Sequence, residues 1–379
     1  MAAGASVGRR SGRLKAALVR FVGEGWSLRV LRADAVSAPP DDGPREHLPE
    51  RLAELLDALA QRAGVAMADV EVLGLHDPPA GATGGMLDAA SAAEASGLTT
   101  VSHFAVRDRA CGGAGAPITP VPDYLLFRSY RERRLLLHIG PTLRATLLEP
   151  GGDPRQIVCF DAAPCGTLLD ALAHRLSEGA INYDPNGRFA VQGKLSEPLL
   201  AHWNSHPFFD RAFPRFVESS DFGDKFIDDG LGFARELRLN ARDVLCTANV
   251  FIARQLQSAL RRARIEPTDL DKALVSGGGV ANGLLWKLLC EQFEASSLVA
   301  TDAVGVPGEA LRPLHAAMMA YCVLENMPGN VPAITGAAGP RILGSVTPGD
   351  DANWDQWVCS LADRLDADRQ AQPQLRQAA

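Results

Sequence analysis

Between Lys272 and Leu311 the chain fixes its own fold class. Ala273-Leu274-Val275 is a short apolar run that stops at three consecutive glycines, Gly277, Gly278 and Gly279. From Asn282 to Phe293 apolar residues then recur at helical spacing. Strand, glycine turn and helix in that order are the unit of an α/β sheet. Two readings of the glycines stand side by side. They make a tight turn, or they let the backbone approach a ligand and present helix-start amides to an anion such as a phosphate. A glycine cluster alone does not separate the two.

The rest of the chain repeats this grammar twice. Leu14 to Val22 and Ser27 to Arg32 read as strands joined at Gly23-Glu24-Gly25, a hairpin signal. Pro39 to Pro49 reads as a polar loop, Leu52 to Ala63 as an amphipathic helix ending at Gly64, and Val70 to Leu75 as a buried strand ending at His76. A helix from Met86 to Ala95 and a strand from Leu98 to Val101 follow. The pattern then restarts with strands Arg134 to Ile139, Leu143 to Leu148 and Gln156 to Phe160, and a helix from Thr167 to Leu176. After a long irregular stretch come a helix from Val244 to Arg264, the strand at Ala273, the helix from Asn282, a strand from Ser297 to Thr301, and a helix from Pro313 to Glu325. The expected division is residues 1–126, residues 127–348 with the glycine turn, and a polar tail at 349–379 with a helical stretch from Trp354 to Leu365.

A chain of 379 residues is long enough for about two domains with substantial cores. Its formal net charge of -7 gives no footprint for a nucleic-acid partner. Seven cysteines without a Cys-x-x-Cys pair suit reduced thiols in a cytoplasm, not a disulfide framework or a zinc site. No apolar run reaches membrane-spanning length. The basic start, with Arg9, Arg10, Arg13 and Lys15, raises a targeting peptide, but Leu14 to Val22 is too short and too charged for a secretory core and fits a strand.

Val-Ser-Gly-Gly-Gly-Val-Ala-Asn from Val275, followed by Thr-Asp-Ala-Val-Gly-Val-Pro-Gly-Glu from Thr301, resembles the nucleotide-binding half of anhydro-N-acetylmuramic acid kinases. Met-Pro-Gly-Asn-Val-Pro-Ala-Ile-Thr-Gly-Ala from Met327, and Ile342-Leu343-Gly344 after it, are similar to that family's C-terminal signature. Phe104 to Asp108 with Gly112-Gly113-Ala-Gly115-Ala-Pro117 is similar to its Phe-Arg-x-x-Asp…Gly-Gly-x-Gly-Ala-Pro run. Phe160-Asp161-x-x-Pro164…Leu169-Asp170-Ala171 is similar to its Asp-Thr-Gly-Pro-Gly-Asn…Asp-Ala run. The resemblance implies two similar α/β domains, ribonuclease-H-like and of the actin and sugar-kinase type, flanking a cleft that holds the ligands. It implies ATP and Mg2+ as cofactors and an amino sugar, 1,6-anhydro-N-acetylmuramic acid, as substrate, in cell-wall recycling. Asp161 would be the general base toward water. Gly8, Gly140, Gly277, Gly278, Gly279 and Asn282 would face the nucleotide, and His76, Arg107 and Asp108 the sugar. No residue is assigned to a metal. The expected partners are the sugar and the nucleotide, with a homodimer open.

Each of these residues also has a plainer reading. Asp161 would cap a strand end, His76 would be a satisfied histidine, and Arg107 would make a surface ion pair. The chain also departs from the family. Its Met-Ser-Gly-Thr-Ser-Leu-Asp-Gly-x-Asp phosphate loop aligns with Ser6 to Lys15, where the two aspartates give way to Gly12 and the cation Lys15, with Arg9, Arg10 and Arg13 around them. Magnesium is repelled by cations and needs carboxylate oxygens or waters that they hold. Its Asn-Ile-Gly-Gly-Ile-Ala-Asn becomes His138-Ile139-Gly140-Pro141-Thr142-Leu143-Arg144, and Pro141 lacks an amide that a phosphate could use. Its Lys-Ser-Thr-Gly-Arg-Glu becomes Arg215 to Ser220, and the acid of Met-Glu-Ala falls at Arg312. Two functions remain from different classes: a kinase with a degraded phosphate site, or a catalytically silent protein that keeps the fold to bind a sugar, nucleotide or protein.

Overall fold

The computed structural model describes residues 1–7, 13–23, 26, 29–37, 47–76, 87–218, 220–293 and 298–377. The chain divides into two units, Met1–Phe127 with Gly305–Ala379, and Arg128–Val304.

The first unit opens with β1 (Ala2–Val7), β2 (Leu14–Val22) and β3 (Arg29–Ser37), which pair antiparallel in sequence. Helix α1 (Leu48–Ala63) leads to β4 (Val72–Leu75), α2 (Ala89–Ser96) leads to β5 (Thr100–Ser102), and α3 (Phe104–Ala110) and α4 (Pro120–Phe127) follow. Strand β4 runs parallel to β1, and β5 parallel to β4. Leu52, Leu56 and Leu59 of α1 lie one face of the helix apart and are buried beside Leu73 and Leu75. Strand β1 is absent from the sequence reading, which starts at Leu14. Its residues, Ala-Ala-Gly-Ala-Ser-Val, have little intrinsic strand preference, so periodicity and propensity are both silent there.

The second unit holds β6 (Arg134–Ile139), β7 (Thr142–Leu148) and β8 (Val158–Pro164), again an antiparallel meander. Helices α5 (Gly166–Leu176) and α8 (Ala241–Arg262) lie where the sequence places helices, and α6 (Glu197–Asn204) and α7 (Asp224–Glu236) fill the stretch that reads as irregular. Strand β9 (Lys272–Ser276), α9 (Gly283–Cys290) and β10 (Leu298–Ala300) complete it, with β9 parallel to β6 and to β10.

Helices α10 (Leu311–Leu324) and α11 (Pro332–Thr335), strand β11 (Ser345–Thr347) and α12 (Asp351–Gln377) return to the first unit. The two sheets run β11-β5-β4-β1-β2-β3 and β10-β9-β6-β7-β8. Without the added β11 they have the same order and the same directions. That is the duplicated, hairpin-first, ribonuclease-H-like architecture the sequence led to.

The first unit breaks after Phe127, and residues 305–348 belong to it and not to Arg128–Val304. The physical reason is α10. Gly4 and Gly74 stand opposite each other on β1 and β4. A Cβ at Gly4 would overlap the Pro313 carbonyl, and one at Gly74 the Ala316 carbonyl. Two bare backbones side by side let α10 lie directly on the sheet, and nearly all of its residues are buried there. The tail is likewise tied in. Asn353 accepts from the Thr99 amide at 2.6 Å and donates to the Val70 carbonyl at 3.1 Å, and Trp357 is buried. No helix among the described residues is long and apolar enough to cross a membrane.

Candidate functional site

Strand β9 delivers the glycine turn. Gly277 has φ of 94°, and a Cβ there would stand 2.5 Å from the Ile139 carbonyl oxygen. A Cβ at Gly279 would overlap the Ile139 side chain. Both glycines are required by close packing on the end of β6. Gly278 differs: it is exposed, with open space beside it. After a short 3-10 turn, Asn282 caps α9 by accepting from the Leu285 amide at 3.1 Å. Its amide group donates to Asn249 of α8 at 2.9 Å, so the cap is held from behind.

Gly140 and Pro141 turn β6 into β7. Their carbonyls are taken up by the start of α5. Cys165 N donates to Pro141 O at 2.9 Å, Gly166 N to Gly140 O at 2.9 Å, and the Thr167 amide and hydroxyl to Pro141 O at 3.3 and 2.9 Å. A helix start of this kind offers amides to a phosphate when they are free. These three amides already have acceptors. His138 packs beside Gly140, and its Nδ1 lies 3.1 Å from Ser276 Oγ. Burial drives the Cys165 thiol up to about 12, so it stays a protonated, inert side chain.

Asp161 lies within β8, three residues before its end, because Ala162, Ala163 and Pro164 extend the strand beyond the expected Phe160. It is 1% exposed. Its partner is Arg144, directly across on β7 beside a register shift. Arg144 Nε donates to Oδ1 at 2.8 Å and Nη2 to Oδ2 at 3.2 Å, a two-point grip. Oδ2 also accepts from the Val217 amide at 3.1 Å, and the Asp161 amide donates to the Arg215 carbonyl at 2.9 Å. The Phe216 ring lies 5.7 Å from the Arg144 guanidinium carbon. The segment aligned with the family's substrate run is thereby laid along β8 at Asp161. Arg215 itself points inward, among the rings of Phe208, Phe209 and Phe213, and donates to the Phe209 carbonyl at 2.6 Å. Desolvation lowers its guanidinium to about 10.

In the first unit the predicted residues divide. Gly8 lies outside the described residues. His76 is exposed just after β4, with its amide bonded to the Ala5 carbonyl at 2.9 Å. Arg107 and Asp108 are neighbours on α3 that face opposite ways: Arg107 is exposed and Asp108 is 0% exposed. Asp108 Oδ1 accepts from Asn330 Nδ2 at 2.7 Å and Thr335 Oγ1 at 2.8 Å, and Oδ2 accepts from the Gly115 amide at 2.8 Å. Lys15, opposite Ser6 in the β1–β2 pair, donates to the Glu309 carbonyl at 3.1 Å and to its carboxylate at 3.3 Å. Among the described residues no group of three His, Cys, Asp or Glu side chains could hold a metal ion. The role of Arg144 is the main point the sequence leaves unread. Its only signal is a cation where the resembled family has asparagine.

The family described as anhydro-N-acetylmuramic acid kinase matches residues 53–349. A protein of that name from Acaryochloris marina is 31% identical over 364 residues, 88% of this chain and 96% of its own. One from Bordetella avium is 34% identical over 332 residues, 85% of this chain and 86% of its own. Among solved structures, the activator of the 2-hydroxyisocaproyl-CoA dehydratase from Clostridium difficile covers 84% of this chain and 94% of its own at 12% identity, with a TM-score of 0.42, a likeness too loose to carry an argument.

Proposed function

This chain belongs to the anhydro-N-acetylmuramic acid kinase family, and from that membership we propose that it binds a nucleotide and a 1,6-anhydro amino sugar but transfers phosphate from ATP slowly or not at all. In the reaction that the family resemblance implies, water attacks C1 of 1,6-anhydro-N-acetylmuramic acid and gives its proton to a carboxylate. The bond from C1 to the C6 oxygen breaks, that oxygen takes the γ-phosphoryl group, and ADP leaves. Asp161 is the candidate for that carboxylate. The setting is peptidoglycan recycling in the cytoplasm.

The observation that carries this reading is the contrast between the two turns. Gly278 leaves open surface for a nucleoside, whereas the α5 amides are bonded to Gly140 and Pro141. Phosphoryl transfer depends on holding and neutralising the phosphates, so an occupied phosphate side slows it. Magnesium does not fit the residues present. Lys15 puts an ammonium ion where the resemblance expects an acid, and the oxygens of Asp161 are shared between Arg144 and Val217.

Calorimetric titration with adenosine and with ATP, each with and without magnesium, tests the reading. Adenosine and ATP are expected to bind within a few-fold of each other, with little response to magnesium. ATP binding tenfold or more tighter, about 1.4 kcal/mol, shows an intact phosphate side and ends this reading. A protein that binds neither nucleoside nor sugar ends it as well.

A further inference from the structure

We propose that Arg144 is a latch that holds Asp161 out of the reaction, so that turnover requires their ion pair to open. This rests on the reading above for the substrate, but it concerns a different residue and a different step.

A general base needs a lone pair within reach of the proton it takes. Asp161 has two oxygens, and both are engaged: one by Arg144 Nε, the other by Arg144 Nη2 and the Val217 amide. The carboxylate is almost completely shielded, while Arg144 keeps 23% of its side chain exposed. Arg144 therefore stands between Asp161 and solvent, and Phe216 lies against the guanidinium. The two side chains face each other across β7 and β8, next to a register shift between Leu143 and Arg144. Direct cross-strand placement presets the pair. A guanidinium fork matches a carboxylate edge at two points, which a lysine ammonium cannot do. Arg144 is a positioning residue here: it acts on the base and not on the sugar.

The test is single-turnover transfer from γ-labelled ATP to 1,6-anhydro-N-acetylmuramic acid, with sugar and nucleotide affinity measured for every variant. Arg144→Asn is expected to raise the transfer rate at least tenfold over wild type, or to bring it above detection where wild type is silent. Arg144→Lys is expected to fall between the two. Adding Asp161→Asn to Arg144→Asn should remove the gain, which a merely structural role of Arg144 would not produce. Unchanged transfer in an Arg144→Asn protein that binds both ligands overturns the latch and leaves the binding reading standing. Loss of binding in wild type overturns the binding reading instead. The latch is then decided by carbodiimide labelling of the wild-type chain, which also serves if the variant does not fold. Asp161 is expected to resist labelling under conditions that modify the exposed Asp302. Labelling of Asp161 at the rate of Asp302 shows an open pair and overturns the proposal.

Discussion

Asp108 offers the sharpest separation of a structural role from a substrate role. Its carboxylate receives three hydrogen bonds in a site with no solvent exposure, and two of the donors, Asn330 and Thr335, are more than two hundred residues along the chain. The cluster joins α3 and its glycine loop to the segment around α11. A hydrogen bond to a charged group contributes about 1.5–3 kcal/mol, and an abandoned buried donor costs about 1–3 kcal/mol. The three bonds share one carboxylate and are not additive. Asp108→Ala is therefore expected to destabilise the first unit by about 4 kcal/mol. For a unit of this size that lowers its melting temperature by roughly 8–16 °C. Asp108→Asn keeps the volume but turns one acceptor into a donor, and about half of that loss is expected. Differential scanning calorimetry reads both. In variants still folded at 25 °C, affinity for the anhydro sugar should stay within threefold of wild type. A melting shift below about 3 °C for Asp108→Ala, roughly 1 kcal/mol, would show that the cluster does not hold the unit together. A tenfold loss of sugar affinity with little change in melting would return Asp108 to the substrate.

Two further outcomes follow from the second unit. Gly277→Ala places a Cβ against the Ile139 carbonyl in a left-handed conformation and should cost about 1–3 kcal/mol in urea unfolding. It should also weaken adenosine binding, whereas Gly278→Ala, with open space beside it, should leave stability unchanged; equal effects at the two positions would refute the packing account. His206 is half-buried among Phe209, Phe222 and Phe226, and desolvation lowers its pKa. The unfolded chain binds that proton near pH 6.5, so stability is full above that pH and falls as the pH drops below it toward the lowered native value. His206→Phe should flatten the acid limb of a stability–pH curve, and an unchanged limb would show that His206 is not its source.

Much of the fold is legible in the sequence because it rests on local signals. The apolar run before Gly277, the helical spacing after Asn282 and the prolines and glycines between strands all report on neighbours in the chain. Strand β1 is invisible for the opposite reason. Ala2 to Ser6 become a strand because β2, β4 and α10 cover them, and the small side chains that permit this carry no pattern of their own. The same holds for residues 305–348. Nothing between Val304 and Leu311 announces a change of unit, and the decision is made by Gly4 and Gly74, which lie far upstream.

The site was legible as a set of departures but not as a set of pairs. Read along the chain, Lys15 and Arg144 are two lost contacts, each a cation where the resembled family keeps an acid or an amide. In the structure each cation has taken an acid within its own unit: Lys15 holds Glu309, and Arg144 holds Asp161. The two pairs differ in weight. Glu309 is largely exposed, so its ion pair contributes little, on the order of 0–1 kcal/mol. Asp161 is buried, and removing Arg144 alone would leave a charge with one backbone donor, a change that costs about 3–5 kcal/mol unless water enters. The arginine thus contributes to the stability of the strand pair on which the carboxylate sits. On the proposed reading, the same two-point grip that ties β7 to β8 also keeps the Asp161 carboxylate from water.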